Sequence, residues 1–240
     1  MELLSDFKTN PKTKKLLDKW GYEGGILHLA SADSVSETLG RHVTVCPNAK
    51  VNRCDKPCLD HQGRGRFSNV IGARVRKTAL YFEDRKEFDR ILDKDLKSLV
   101  KRAAKRGSKG LARLDGTSDL GLAMRVSPDH PDITFYDYTK VTARYMRWLR
   151  GSFPNYHLTY SLGAGNKADA LKVLREGGNV AVVFRARKGD PLPAYWEGFD
   201  VIDGDEHDFR FRDPVGGYAI GLRSKGSSYY DQSGFVQEVC

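Results

Sequence analysis

No stretch of this sequence approaches the ~18 uninterrupted apolar residues of a membrane-spanning helix. Its start, Met1-Glu2-Leu3-Leu4-Ser5-Asp6, lacks the basic region and apolar run of a secretory signal. A cytoplasmic, reducing setting is therefore expected. Cysteine is scarce, with four in 240 residues. Cys46, Cys54 and Cys58 lie close together and Cys240 stands apart at the end, so a disulfide scaffold is excluded as the organising principle. No internal repeat and no shift of composition divides the chain. No zinc-finger, homeodomain or leucine-zipper pattern is present, so sequence-specific reading of a duplex is not indicated. Acid is in deficit: 31 Asp and Glu face 40 Lys and Arg, for a formal charge of +9. The hydrophobic share of 40% is ordinary for a globular protein. The length suits one large domain or two small ones, and it can bury a core without a metal or disulfide.

Residues 1–25 read as a basic arm with a short helix, carrying Lys8, Lys12, Lys14 and Lys15 before Leu16-Leu17. Residues 26–240 read as a single α/β domain. A first strand is expected at 26–30. Residues 31–68 show little periodicity, and a loop this long is either functional or organised by something such as a metal. Helices are expected at 69–82 and 84–106. In the second, Phe88, Ile91, Leu92, Leu96, Leu99 and Ala103 follow the 3.6 period, and Gly107 stops it. Strands at 110–114, 133–138, 157–161, 179–184, 201–202 and 218–222 then alternate with helices at 143–149 and from after Asn166 to Arg175. Such alternation implies a largely parallel sheet of about six or seven strands, a partial or full barrel. Sites in such folds gather at the carboxyl ends of the strands. Those ends hold Asp115, Asp119, Asp137, Lys140, Ser161, Arg185, Asp203, Asp205, Arg223 and Lys225.

The cysteines are spaced Cys46-x7-Cys54-x3-Cys58. Soft sulfur ligands select zinc or an iron–sulfur cluster. With His61 as fourth ligand they form a structural Cys3His zinc site. Alone they hold three irons of a 4Fe-4S cluster and leave the fourth open. The bland reading is three free thiols in a loop. Gly63-Arg64-Gly65-Arg66 permits close backbone approach to an anion at Arg64 and Arg66, and a flexible loop explains it nearly as well.

The order Lys12-Thr13, Gly21-Tyr22, Leu27-His28-Leu29-Ala30, Cys46-Pro47-Asn48-Ala49, Cys54, Cys58-Leu59, Gly63-Arg64-Gly65-Arg66, Asn69, Arg74 and Lys77-Thr78 resembles a phage-encoded group similar to the gene-product-88 family. The resemblance continues through Asp115-Gly116-Thr117-Ser118-Asp119, Tyr136-Asp137-Tyr138-Thr139-Lys140, 179–184 and Asp203-Gly204-Asp205-Glu206-His207-Asp208. It implies a phage protein in the host cytoplasm and no particular activity. A looser resemblance is to radical S-adenosylmethionine enzymes, which carry a three-cysteine loop after the first strand of a partial barrel. It implies a 4Fe-4S cluster on Cys46, Cys54 and Cys58, and S-adenosylmethionine held near Asp115, Thr117, Ser118 and Asp119. The spacing here is longer than that family's, and Pro57 stands where an aromatic precedes the third cysteine.

The segment Asp203-Gly204-Asp205-Glu206-His207-Asp208 concentrates four carboxylates and an imidazole. Hard oxygen ligands suit Mg2+ or Mn2+, so Asp203, Asp205 and His207 are candidate catalytic residues, sharing a site with Asp115 or Asp119. A solvated acidic turn offsetting Arg210 and Arg212 is the plain alternative. Basic residues cluster in two acid-free stretches, 62–77 (Arg64, Arg66, Arg74, Arg76, Lys77) and 97–113. Lys97, Lys101 and Lys105 lie four apart and form one ridge of a helix, able to follow a phosphate backbone. Aromatics Tyr136, Tyr138, Tyr145, Trp148 and Tyr160 either stack bases or fill the core. His28 and His157, inside apolar strands, read as buried histidines.

Three functions remain open. The first is an iron–sulfur enzyme acting on a nucleotide, nucleic acid or other anionic substrate. The second is a Mg2+ or Mn2+ phosphoesterase or nuclease with a structural zinc (Zn2+) at the cysteines. The third is a non-enzymatic nucleic-acid-binding phage factor. No membrane partner is expected.

Overall fold

The structure is a computed structural model that describes residues 1–6, 19–55, 57–58, 65 and 67–239. The lysines expected in the arm, together with His61, Arg64 and Arg66, lie outside the described residues. The elements run β1 Leu4–Asp6, β2 Tyr22–Leu27, α1 Ser68–Glu83, α2 Arg85–Lys105, β3 Lys109–Arg113, α3 Leu122–Val126 and β4 Ile133–Thr139. They continue α4 Thr142–Arg150, β5 Tyr156–Ser161, α5 Lys167–Arg175, β6 Val180–Phe184, β7 Tyr195–Trp196, β8 Phe199–Asp203 and β9 Ala219–Arg223. Among the described residues no helix is long and apolar enough to cross a membrane.

The strands form a nine-stranded, mostly parallel sheet in the order β1-β2-β3-β4-β5-β6-β9-β8-β7, which is not closed. The pairs β2–β3, β3–β4, β5–β6, β6–β9 and β8–β9 are parallel. The count exceeds the six or seven expected. The additions are β1 and β7, of three and two residues, each paired antiparallel to its neighbour. Runs that short carry no period to read. At the start of the arm, Leu3 and Leu4 are buried, and the Asp95 carboxylate accepts both their N–H groups.

The chain divides into two compact units. The first comprises Met1–Cys46, Phe67–Asp137 and Ser152–His157. Its principal helix, α2, packs on β2 and β3 through Phe88, Ile91, Leu92, Leu96, Leu99 and Ala103, all buried. Burying each large member of that stripe stabilises by roughly 1.5–3 kcal/mol before entropy is counted. The Asp84 side chain caps α2 by accepting the Glu87 N–H at 3.0 Å. Gly107, at φ 60°, ends it in the left-handed region. Glu23 on β2 is only 2% exposed and pairs with Arg102 and Arg106 of α2. That ion pair ties the polar end of the helix to the sheet.

The second unit comprises Pro47–Arg66, Tyr138–Gly151 and Leu158–Cys240. Val180, Ala181, Val182 and Phe184 of β6 are buried, as are Ala170, Val173 and Leu174 of α5. Tyr145 and Tyr160 pack edge-on at 5.5 Å, so they serve the core rather than a stacking surface. A Cβ at Gly178 would lie 2.3 Å from the Tyr145 hydroxyl, which fixes glycine there.

Candidate functional site

The segment after β2 is not structureless. In the first unit, Val45 O accepts the Asp119 N–H at 2.8 Å. The Cys46 thiol donates to Thr117 O at 3.7 Å, and the Thr117 hydroxyl donates to Leu29 O at 2.5 Å. In the second unit, Asn48 Nδ2 donates to Lys140 O at 2.9 Å, and Ala164 N–H donates to Asn52 O at 3.0 Å. Residues 48–53 coil into a turn in which Asn52 donates twice to Asn48 O, from its N–H and from its side chain, each at 3.0 Å. Two glycines permit the approach. A Cβ at Gly163 would lie 2.5 Å from Asn52 Cβ, and one at Gly165 would lie 2.5 Å from Val51 O.

Cys46, Cys54 and Cys58 are thiols rather than disulfides and are half-buried. Cys54 donates to Ala49 O at 3.7 Å. Burial pushes its thiol above the ordinary range, Lys140 draws it down, and Cys58 and Asp55 push it up again. The soft donors suit a thiophilic metal. Among the described residues, however, no three His, Cys, Asp or Glu side chains gather closely enough to hold an ion.

The turn after β3 is built on one carboxylate. Asp115 Oδ1 accepts the Ser118 hydroxyl at 2.6 Å and the Leu120 N–H at 3.0 Å. Its Oδ2 accepts Gly121 N–H at 2.8 Å and Leu122 N–H at 3.2 Å. Buried and fourfold bonded, Asp115 shapes the turn that presents Thr117 O to Cys46 and the Asp119 N–H to Val45. Beneath it lies Asp137, fully buried, whose carboxyl is held well above the usual range by burial and by the neighbouring Asp115.

At the ends of β4 and β5, Lys140 Nζ donates to the Ser161 hydroxyl and lies 5.3 Å from the Phe235 ring centre. Both residues were legible as strand-end groups; their pairing and the aromatic beside them were not. Beside them Thr142 Oγ1 bonds to both the Tyr160 hydroxyl at 2.8 Å and Asp169 at 2.7 Å.

The acidic turn after β8 is charge-compensated. Arg223 pairs with Asp203 at 2.8 Å, and Lys225 with Asp205 at 3.2 Å. Burial raises the Asp205 carboxyl, but the Arg223 N–H and the Lys225 charge outweigh it and hold it below the usual range. Burial, then Arg210, lower the His207 imidazole. Arg210 itself is buried, donating to Gly204 O at 3.1 Å and pairing with Asp213 at 3.3 Å. Asp213 is nonetheless raised to about 6 by burial.

On α2, Lys97, Lys101 and Lys105 are exposed. Lys97 meets Asp93 at 2.7 Å, while Lys94, Lys101 and Lys105 have no carboxylate partner among the described residues. An open groove runs along Arg90, Asp93, Lys94, Lys97, Ser98 and Lys101. The other basic stretch turns partly inward. Lys77 is lowered by burial and donates to Leu3 O at 2.6 Å. Arg74 acts on His28, whose imidazole burial and then Arg74 lower to about 3. Burial likewise lowers His157.

These features define a class: an α/β protein with a mostly parallel sheet, in which Cys46 bonds to the loop after β3 in the first unit and the turn leading to Cys54 bonds to the loops after β4 and β5 in the second. The family model for gene product 88 matches residues 3–238, and the chain belongs to that family, in keeping with a phage-type protein. No curated protein and no solved structure matches it.

Proposed function

We propose that the protein is an iron–sulfur enzyme of radical S-adenosylmethionine type acting on an anionic substrate. The observation that carries this reading is the cysteine segment. It follows β2, the first strand of the series β2-β3-β4-β5-β6 that lies side by side in chain order. Within the first unit Val45 and Cys46 bond to the loop after β3, and within the second Asn48 and Asn52 bond to the loops after β4 and β5. Cys46, Cys54 and Cys58 supply donors of the right softness. Because the described residues gather no three ligands, no cluster geometry enters the proposal. When bound, such a cluster and its sulfonium cofactor supply one-electron chemistry that protein side chains do not. Asp115, Thr117, Ser118 and Asp119 serve this reading as the turn that seats Cys46. Lys140 supplies positive charge at the strand ends. The test is metal analysis of protein purified without oxygen. The expected result is a brown protein with about four irons per chain, lost in Cys46→Ala, Cys54→Ala and Cys58→Ala. A colourless or zinc-loaded preparation overturns it.

A second reading, a nucleic-acid-binding factor, has its own support in the Lys94, Lys97, Lys101 and Lys105 ridge of α2. Neutralising phosphates along such a ridge releases counterions, so binding weakens steeply with salt. Lys101→Glu with Lys105→Glu is expected to lower the salt slope by about 2. An unchanged slope removes this reading. The ion pairs of Asp203 and Asp205 leave the divalent-metal phosphoesterase without comparable support.

A further inference from the structure

The segments that follow β6 and β9 line an open cleft with Arg187, Lys188, Ser224, Gly226, Tyr229 and Tyr230. The two strands pair in parallel up to Phe184 and Arg223, so both segments leave the carboxyl edge of the sheet. That edge is where open α/β sheets bind ligands.

The cleft has a braced wall. The Arg185 guanidinium donates to Tyr229 O and, at 2.6 Å, to Asp231 O, while its Nε pairs with Glu238 at 2.8 Å. Ser224 donates its N–H to Phe184 O at 3.0 Å and its hydroxyl to Ala186 O at 3.2 Å. Arg185 is thereby committed to the backbone of the tyrosine segment, and the groups beyond it stay available. Arg187 and Lys188 are exposed and have no carboxylate partner among the described residues. The nearby Asp190 carboxylate is turned to the Arg187 N–H at 2.7 Å. The Arg187 guanidinium lies 4.8 Å from the Tyr229 ring centre, within cation–π reach. Tyr230 stands edge-on to Tyr229 at 5.3 Å and is 72% exposed.

Two cations with no carboxylate partner among the described residues call for an anion of more than one charge. A large aromatic ring left in water beside them calls for a flat partner, since base–aromatic stacking is worth about 1–3 kcal/mol. We propose that this cleft binds a nucleoside phosphate, its phosphates on Arg187 and Lys188 and its base on Tyr230. The assignment deepens the anionic-substrate reading by naming the substrate class, and it does not depend on the metal. A free nucleotide and a single-stranded nucleic acid offer the same chemistry.

Calorimetric titration of the full-length protein with ATP tests it, with tripolyphosphate and a short oligothymidylate as parallel arms. ATP binding is expected to weaken about tenfold in Tyr230→Ala and to recover in Tyr230→Phe. It is also expected to be lost in the Arg187→Ala, Lys188→Ala double variant and unchanged in Lys101→Glu. Displacement of ATP by oligothymidylate supports a strand as the source, and its failure to displace supports a free nucleotide. Three results overturn the proposal: no heat with either ATP or oligothymidylate, tripolyphosphate binding as tightly as ATP, or binding indifferent to the Tyr230 and Arg187 changes. A colourless protein that binds ATP sinks only the iron reading. A brown protein that ignores ATP sinks only this one.

Discussion

The main-chain N–H of Asp115 donates to Oδ1 of Asp137 at 2.8 Å, while the other oxygen of Asp137 is buried with no hydrogen-bond partner among the described residues. Two acidic residues are thus stacked under one turn, the upper saturated by donors and the lower starved of them.

The lower one sets a pH dependence. Its carboxyl is raised in the folded state, so the unfolded chain releases that proton first. Stability from this group is complete below its unfolded value and falls as pH rises toward the folded value. Asp137→Asn keeps the acceptor without the charge. It is expected to raise the melting temperature at pH 7.5 by about 2–4 °C, the shift of ~1 kcal/mol in a chain of this size. The gain should vanish near pH 3.5, as read by thermal denaturation at both values.

Asp115→Ala removes the acceptor of the Leu120, Gly121 and Leu122 N–H groups and of the Ser118 hydroxyl. Stranding buried donors costs about 1–3 kcal/mol each where water cannot reach them. A loss of about 3 kcal/mol in urea unfolding is expected, with Asp115→Asn recovering part of it. If Asp115→Ala instead unfolds like the unmodified protein, the carboxylate is not what holds the turn.

His28 acts in the opposite direction to Asp137. Its imidazole is lowered to about 3 by burial and then by Arg74, Arg113 and Lys77. Below pH 6.5 the unfolded chain binds a proton that the folded one refuses, so stability drains by up to about 1.4 kcal/mol per pH unit until pH 3. His28→Gln is expected to flatten stability against pH between 6.5 and 4. An unaltered slope would show that other groups govern acid unfolding.

Gly163→Ala is expected to unseat the cysteine segment, because the added methyl meets Asn52 Cβ at 2.5 Å. Cys54, raised by burial, should react slowly with a thiol reagent such as dithionitrobenzoate at pH 7. The glycine variant should speed that reaction several-fold while leaving the far-UV spectrum intact. Equal rates would separate Gly163 from the thiol.

The elements that were legible in the sequence declare themselves locally. Phe88, Ile91, Leu92, Leu96, Leu99 and Ala103 recur at the helical period and all prove buried in α2. Val180 to Phe184 is apolar enough to read as an interior strand. What was not legible depends on partners far along the chain. Nothing local to Val45, Asn48 or Asn52 says that they bond to residues 119, 140 and 164, whose bonding groups are main-chain ones that every residue carries. Asp203 and Asp205 read as an open acidic turn because their counter-charges, Arg223 at the end of β9 and Lys225 just after it, arrive about twenty residues later. The cleft at Tyr229 and Tyr230 is not legible in the sequence for a related reason: its cations come from the segment after β6.

β9 follows every other strand in the chain yet lies inside the sheet, between β6 and β8. A nascent chain that has emerged only as far as Pro214 therefore holds two strands whose shared neighbour has not yet been made. Each would expose a row of unsatisfied backbone groups, the kind of edge that recruits other chains. Residues 219–223 act as a keystone in time as well as in space. Synthesis that pauses just before them would leave the second unit at its most vulnerable to misassembly.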